Sequence, residues 1–149
     1  MPGTTKLSSS SEDYLEAIYL ICKKNGEARS KDICKFLGVS GPSVTEALQL
    51  LKTKGMVNYE PYAPITLTEK GEQAGCDVFY RHETLKDFLI EVLGIEKEQA
   101  EVGACIMEHA VTPKIIERMV KYTRYLRQEC YDNSSDKSCS FDRYLSSID

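Results

Sequence analysis

A chain of 149 residues can bury one good core, or at most two small subdomains sharing an interface, which favours a sensor over a large enzyme. With 42% hydrophobic and 28% charged residues and no low-complexity run, its composition is that of an ordinary globular protein and excludes a disordered or fibrous one. No stretch approaches the roughly 18 uninterrupted apolar residues that cross a bilayer, and Met1 to Ser11 has no signal-like apolar core, so a cytoplasmic protein without a membrane partner is expected.

Along the chain, Ser10 or Ser11 can cap a first helix whose Tyr14, Leu15, Ile18, Tyr19 and Cys22 recur at helical spacing before Asn25-Gly26 ends it. A short second helix carries Ile33, Phe36 and Leu37 and stops at Gly38. After the turn Val39-Ser40-Gly41, Pro42 opens a third helix with an inward stripe of Val44, Leu48 and Leu51, running to Gly55. Two β-prone runs, Met56 to Tyr59 and Ile65 to Thr68, flank Glu60-Pro61-Tyr62-Ala63-Pro64 and predict a hairpin with an irregular tip, a wing. Thr68 can cap a long helix reaching Leu93, with Gly94 as its stop, which joins two subdomains. A further helix contains Ala100, Ala104 and Cys105, Thr112-Pro113 caps a last one, and Asp132 to Ser140 forms a polar, loose end.

Two helices joined by a tight turn and followed by a hairpin can set the second helix in a DNA major groove. The formal net charge of −4 argues mildly against nucleic acid, but Lys23 to Met56 holds seven basic residues against three acidic ones. Candidate DNA contacts are Arg29, Lys31, Ser40, Gly41, Pro42, Ser43, Thr45, Glu46 and Lys52. The hydroxyls and early backbone N–H groups suit phosphates, and Glu46 can accept from a cytosine amino group. The ordinary alternative is that Ser, Gly and Pro before a helix are capping chemistry and that Lys52 lies on a solvated face.

A second pattern concerns metal ligands. At about 100° per residue, Glu101, Cys105, Glu108 and His109 fall within one sector of about 100° on a helix. The first helix offers Asp13 and Glu16, and the long helix offers His82; the chain has only two histidines. Thiolate, carboxylate and imidazole together suit a borderline divalent transition metal rather than calcium. Singly, each has an everyday role: Asp13 complements a helix dipole, Glu16 is solvated, His82 makes a hydrogen bond inside its helix, and Cys105 is a small core residue. The six cysteines form no C-x-x-C pair and are expected as free thiols; Cys130 and Cys139 lack a partner pair for a metal clip.

From Ser11 to about Leu126 the chain resembles the diphtheria toxin repressor family, which includes iron-dependent repressors and manganese transport regulators. The residues that carry the resemblance are Ser11 to Tyr19, Val39 to Thr45, Leu67 to Gly71, Tyr80 to Glu83, Ala104-Cys105 and Glu108-His109. It implies a mainly α fold with a winged helix-turn-helix DNA-binding domain over 1–75. An all-helical metal-binding and dimerisation domain over 76–149, with a polar C-terminal tail, would follow. It further implies a homodimeric repressor, not an enzyme and with no organic substrate, bound to double-stranded operator DNA, with Fe²⁺ or Mn²⁺ as corepressor in metal homeostasis. Asp13, Glu16, His82, Cys105, Glu108 and His109 match the family's ligand positions, and Glu101 matches an ancillary one. The chain is too short for the SH3-like third domain of the longer relatives, and Lys86 stands where those carry an ancillary glutamate, which counts against a second metal site. A thiolate at Cys105 beside the hard ligands Asp13 and Glu16 favours Fe²⁺, with Mn²⁺ as the alternative. The rival functions are a winged-helix regulator sensing thiol oxidation or an organic ligand, and a small metalloenzyme, which no nucleophile motif accompanies.

Overall fold

The structure, a computed structural model, describes residues 6–128 and 141–148. The chain divides into two compact units, Met1–Phe79 and Tyr80–Asp149.

The first unit opens with α1 (Ser9–Asn25). Its cap is neither Ser10 nor Ser11 but Ser8, whose side chain accepts the Ser11 N–H at 3.2 Å. Ser11 itself is buried, because it lies four and seven residues before Leu15 and Ile18 and so shares their inward stripe. Gly26, at φ 83°, closes the helix as its position after Asn25 predicts. The second helix, α2 (Ser30–Leu37), ends at a left-handed Gly38, and α3 (Gly41–Thr53) begins at Ser40, whose side chain accepts the Ser43 N–H at 3.4 Å. This pair is the helix-turn-helix, and α1 packs against both of its members.

The wing is an antiparallel pair, β1 (Val57–Asn58) and β2 (Thr66–Leu67), with Val57 opposite Leu67 and Asn58 opposite Thr66. A further rung, with no signal in the sequence, joins it to the segment between α1 and α2: Ala28 and Ile65 exchange backbone hydrogen bonds of 2.9 and 2.8 Å. Both residues are fully buried, in a core with Leu15, Ile18, Ile33, Val44, Leu48, Leu51, Met56 and Val57. The stripes expected of the first three helices and the wing thus converge on one core, except at Phe36 of α2, which is 54% exposed. At the wing tip Tyr62 is fully exposed and left-handed, at φ 67°.

The long helix α4 (Glu69–Glu91) belongs to both units by sequence. Thr68 caps it: its hydroxyl oxygen accepts the Gly71 N–H at 3.0 Å and donates to the Gly55 carbonyl at 2.6 Å. At Gly71 the helix passes so close to the end of β1 that a Cβ would lie 1.8 Å from the Met56 carbonyl oxygen, so no side chain fits.

In the second unit the C-terminal half of α4 is followed by α5 (Lys97–Met107) and α6 (Pro113–Leu126), the latter capped by Thr112 at the Ile115 N–H. Leu85, Ala104 and Ile116, one from each helix, form its buried core. The chain is therefore mainly α, a winged helix-turn-helix followed by a helical unit. Where a polar tail is expected, residues Phe141–Ile148 form α7; Cys130, Cys139 and the 132–140 stretch lie outside the described residues. Among the described residues no helix is long and apolar enough to cross a membrane.

The Gly71 contact makes a direct prediction. Gly71→Ala forces the start of α4 away from β1 and lowers stability by about 1–3 kcal/mol in urea denaturation, the usual range for overpacking a tight site; a wild-type midpoint would show that the approach is not tight.

Candidate metal centre and nucleic-acid face

Four of the expected ligands are brought together within the second unit. His82, on α4, is 5% exposed, and both of its ring nitrogens face carboxylates. Nδ1 lies 2.7 Å from Glu108 Oε2, and Nε2 lies 2.8 Å from Glu101 Oε1. Cys105 Sγ stands 3.8 Å from Nδ1. One donor atom each from His82, Glu101 and Cys105 falls within 4.8 Å of the other two. Cys105 is exposed, unlike the small core residue it could have been.

The expectation that Glu108 and His109 continue the helix of Cys105 needs correction. The helix α5 ends at Met107; Glu108 is its C-cap, still bonded through its N–H to Ala104 O at 3.0 Å, and His109 lies in the turn beyond. The chain turns there because the Ala110 and Val111 N–H groups both bond to the Met107 carbonyl, at 2.9 and 3.1 Å. Glu108, the better placed, is only 1% exposed and has His109 Nε2 at 3.5 Å from its second oxygen. Arg81 Nε donates to the Glu108 backbone carbonyl at 2.9 Å, which fixes the turn against α4.

These residues fit a divalent transition metal. A carboxylate buried to this degree is costly unless a cation or strong donor meets it, and here imidazole, thiol and carboxylate donors converge on the same place. Imidazole with sulfur and oxygen is the donor mixture of Fe²⁺ and its later neighbours, whereas calcium takes oxygen alone. Asp13, exposed, and Glu16, half-buried, sit three residues apart on α1 in the first unit.

Lys86, which the resemblance places where relatives carry an ancillary glutamate, lies one turn after His82 on the same helix face. Its ammonium hydrogen-bonds Glu83 and lies 3.7 Å from Glu101 Oε2. Burial alone would push Lys86 down, but the hydrogen bond to Glu83 and the charges of Glu83, Glu101 and Asp87 outweigh it and leave the group raised above the ordinary lysine range.

The candidate DNA contacts lie in the first unit. Ser40, Gly41, Pro42, Ser43, Thr45 and Glu46 are all exposed at the start of α3. Their hydroxyls also serve the helix: Ser40 and Ser43 bond to each other at 2.9 Å, and Thr45 donates to Gly41 O at 3.1 Å. The segment is thus both a helix cap and an exposed face. Lys31 is exposed on α2. Arg29 and Lys52 carry carboxylate partners that the sequence did not announce, Glu27 at 2.9 Å and Glu60 on the wing at 2.6 Å. Such exposed pairs are weak and readily exchanged for phosphate.

Comparison with known proteins agrees with this architecture. Residues 6–65 match the iron dependent repressor N-terminal DNA binding domain, and residues 68–136 match the iron dependent repressor metal binding and dimerisation domain. The chain belongs to the iron-dependent repressor family. An HTH-type transcriptional regulator of Methanocaldococcus jannaschii is 42% identical over 114 residues, covering 76% of this chain and 91% of the relative. The HTH-type transcriptional regulator MntR of Bacillus subtilis is 34% identical over 120 residues, covering 80% and 84%. Among solved structures, the manganese regulator SloR superposes with a TM-score of 0.69 at 28% identity, over 77% of this chain and 54% of that one. IdeR of T. acidophilum does so with a TM-score of 0.65 at 28% identity, over 74% and 52%. The chain thus spans about half the length of these solved family members and most of the length of the first two relatives. These relatives are transcriptional regulators.

The placement of Cys105 is open to spectroscopy. Anaerobic titration with Co²⁺ should raise a thiolate-to-cobalt charge-transfer band that Cys105→Ser abolishes without changing the far-UV circular dichroism. A band that survives the substitution would assign the thiolate to another cysteine.

Proposed function

We propose that the chain is a homodimeric transcriptional repressor whose operator binding depends on a divalent metal, Fe²⁺ with Mn²⁺ as the alternative, and that it acts in the cytoplasm. The observation that carries this reading is the meeting of His82, Glu101 and Cys105 within 4.8 Å, beside the buried Glu108, in a chain of this family. His82, Cys105, Glu108 and His109 are the ligands proposed from the second unit, with Glu101 as an ancillary one. Asp13 and Glu16 are proposed as ligands on the strength of the sequence and the family resemblance. The bound cation supplies the positive charge that this set of acidic and thiol groups calls for. The thiolate is what tilts the choice toward iron, while one of the named relatives, SloR, is a manganese regulator.

Operator recognition falls to the exposed start of α3, with Arg29, Lys31 and Lys52 supplying phosphate contacts. The small side chains Ser40, Gly41 and Ser43 allow close approach to a DNA backbone. Dimerisation is supported by apolar side chains left in solvent on the second unit: Val102 and Ile106, one turn apart on α5, are 61% and 71% exposed, and Ile115, Tyr122 and Tyr125 are exposed on α6. Patches of this kind on a regulator point to self-association.

One observation favours a second reading. Cys105 is exposed beside an imidazole, a setting in which a thiol can sense oxidation.

Fluorescence anisotropy on operator DNA separates the two. On the metal reading, Fe²⁺ or Mn²⁺ tightens operator binding about a hundredfold, about 2.7 kcal/mol, and EDTA reverses it. Asp13→Ala or His109→Ala leaves the fold intact and removes that gain. Operator affinity unchanged by EDTA, with a response to diamide instead, would transfer the function to thiol oxidation.

A further inference from the structure

We propose that Glu27 and Glu60 are built-in counter-ions to Arg29 and Lys52, holding down the affinity of the winged helix-turn-helix for the phosphate backbone of any DNA sequence. The proposal rests on the reading of Arg29 and Lys52 as phosphate contacts.

In a chain of formal net charge −4, attraction to DNA falls to local cations. Three of the candidate DNA contacts are cations, and two of them are matched. Lys52 Nζ lies 2.6 Å from Glu60 Oε1, and Arg29 Nη2 lies 2.9 Å from Glu27 Oε1. Lys31 has no ion-pair partner among the described residues.

Both pairs stand beside the wing. At about 100° per residue, Thr45, Gln49 and Lys52 form one exposed stripe along α3, so Lys52 continues the face that begins at Ser40. Its partner Glu60 is eight residues on, in the wing, so the pair ties the far end of α3 to the loop that follows β1. Arg29 is the N-cap residue of α2, in extended backbone at φ −124° and ψ 150°. Extended chain puts alternate residues on one side, which brings Glu27 to Arg29. Between them Ala28 pairs with Ile65, at the other end of the wing loop. A carboxylate thus accompanies the cation on either side of that loop.

A free lysine or arginine gains affinity for phosphate by releasing the counter-ions condensed on DNA. A cation already matched by a carboxylate must first give up that partner. The carboxylate is tethered and stays beside the phosphate that replaces it. Exposed pairs are individually weak, so each lowers DNA affinity only roughly two- to fivefold at low salt. Phosphates carry no sequence, so the penalty falls on every duplex alike. It keeps binding to chance sequences low and leaves operator occupancy near the point where a further gain can switch it.

Fluorescence anisotropy of the full chain on a duplex of arbitrary sequence, in EDTA and over a KCl series, tests this independently of the metal. All four side chains are exposed, so glutamine at these positions removes charge without touching the core. At about 50 mM KCl the double variant E27Q/E60Q should bind roughly tenfold more tightly than the wild type, and the slope of log K against log[KCl] should steepen by up to about 1.8 for two freed cations. Glu60→Gln should have no effect in a Lys52→Gln background, nor Glu27→Gln in an Arg29→Gln background. Wild-type affinity in E27Q/E60Q would overturn the proposal. So would a gain that survives removal of the cations, since the carboxylates would then act by repelling DNA directly. Arg29→Gln and Lys52→Gln that bind as the wild type does would instead bring down the phosphate-contact reading on which the proposal rests.

Discussion

A neutral imidazole carries one ring proton, yet both nitrogens of His82 face carboxylate oxygens, at 2.7 and 2.8 Å. A further proton, on the ring or on one carboxyl, or a metal ion resolves that conflict. A second proton on the ring would satisfy both carboxylates, and so would a metal ion taking the place of a proton with Cys105 and Glu108 close by. The burial of His82 and Glu108 raises the stakes, because a low-dielectric surrounding strengthens every charge interaction made there. The second unit thus gathers imidazole, carboxylate and thiol groups from α4, α5 and the turn after it, with the Lys86 ammonium at their edge.

The helix that carries His82 is unusually well defined at its start. Thr68 caps it, and Gly71 lets it press against the Met56 carbonyl at the end of β1. Farther along, a Cβ at Gly75 would stand 2.8 Å from the Tyr19 Cβ, so α1 and α4 also approach closely within the first unit. Glycine at both positions is explained by packing rather than by helix propensity, which glycine weakens. The same helix then carries His82, Glu83 and Lys86 within one turn or so of each other in its second half. Side chains that touch the ligand cluster are therefore mounted on an element with little freedom at its origin, the condition under which a ligand site keeps its geometry.

Much of this was legible from residue order alone, where the signal is local. Thr68, Thr112 and Ser40 announce helix starts because a hydroxyl before an apolar-periodic run has one evident use. Gly26, Gly38 and Gly94 announce ends for the matching reason, and each has positive φ. At Ser8 to Ser11 the same rule fails: with four serines in a row it does not say which one caps, and only Ser11 is set apart by its burial. The Ala28–Ile65 rung is long-range and leaves no periodic trace. Glu101, Cys105 and Glu108 could be grouped by helical angle, but the end of α5 at Met107 could not, since neither glycine nor proline marks it. The resemblance marks the position of Lys86, but neither its burial nor its partner on α5 leaves a trace in the sequence. The start of α3 differs again, because capping and phosphate contact ask for the same residue types, so residue order alone does not separate one use from both.

The account stands on a divalent ion at His82. Anomalous diffraction at the iron absorption edge, from crystals grown anaerobically with ferrous salt, addresses it most directly. The account predicts one anomalous peak per subunit within bonding distance of a His82 ring nitrogen and of Cys105 Sγ. A structure with iron in the crystal but no peak at His82, its ring still spanning Glu101 and Glu108, would contradict it.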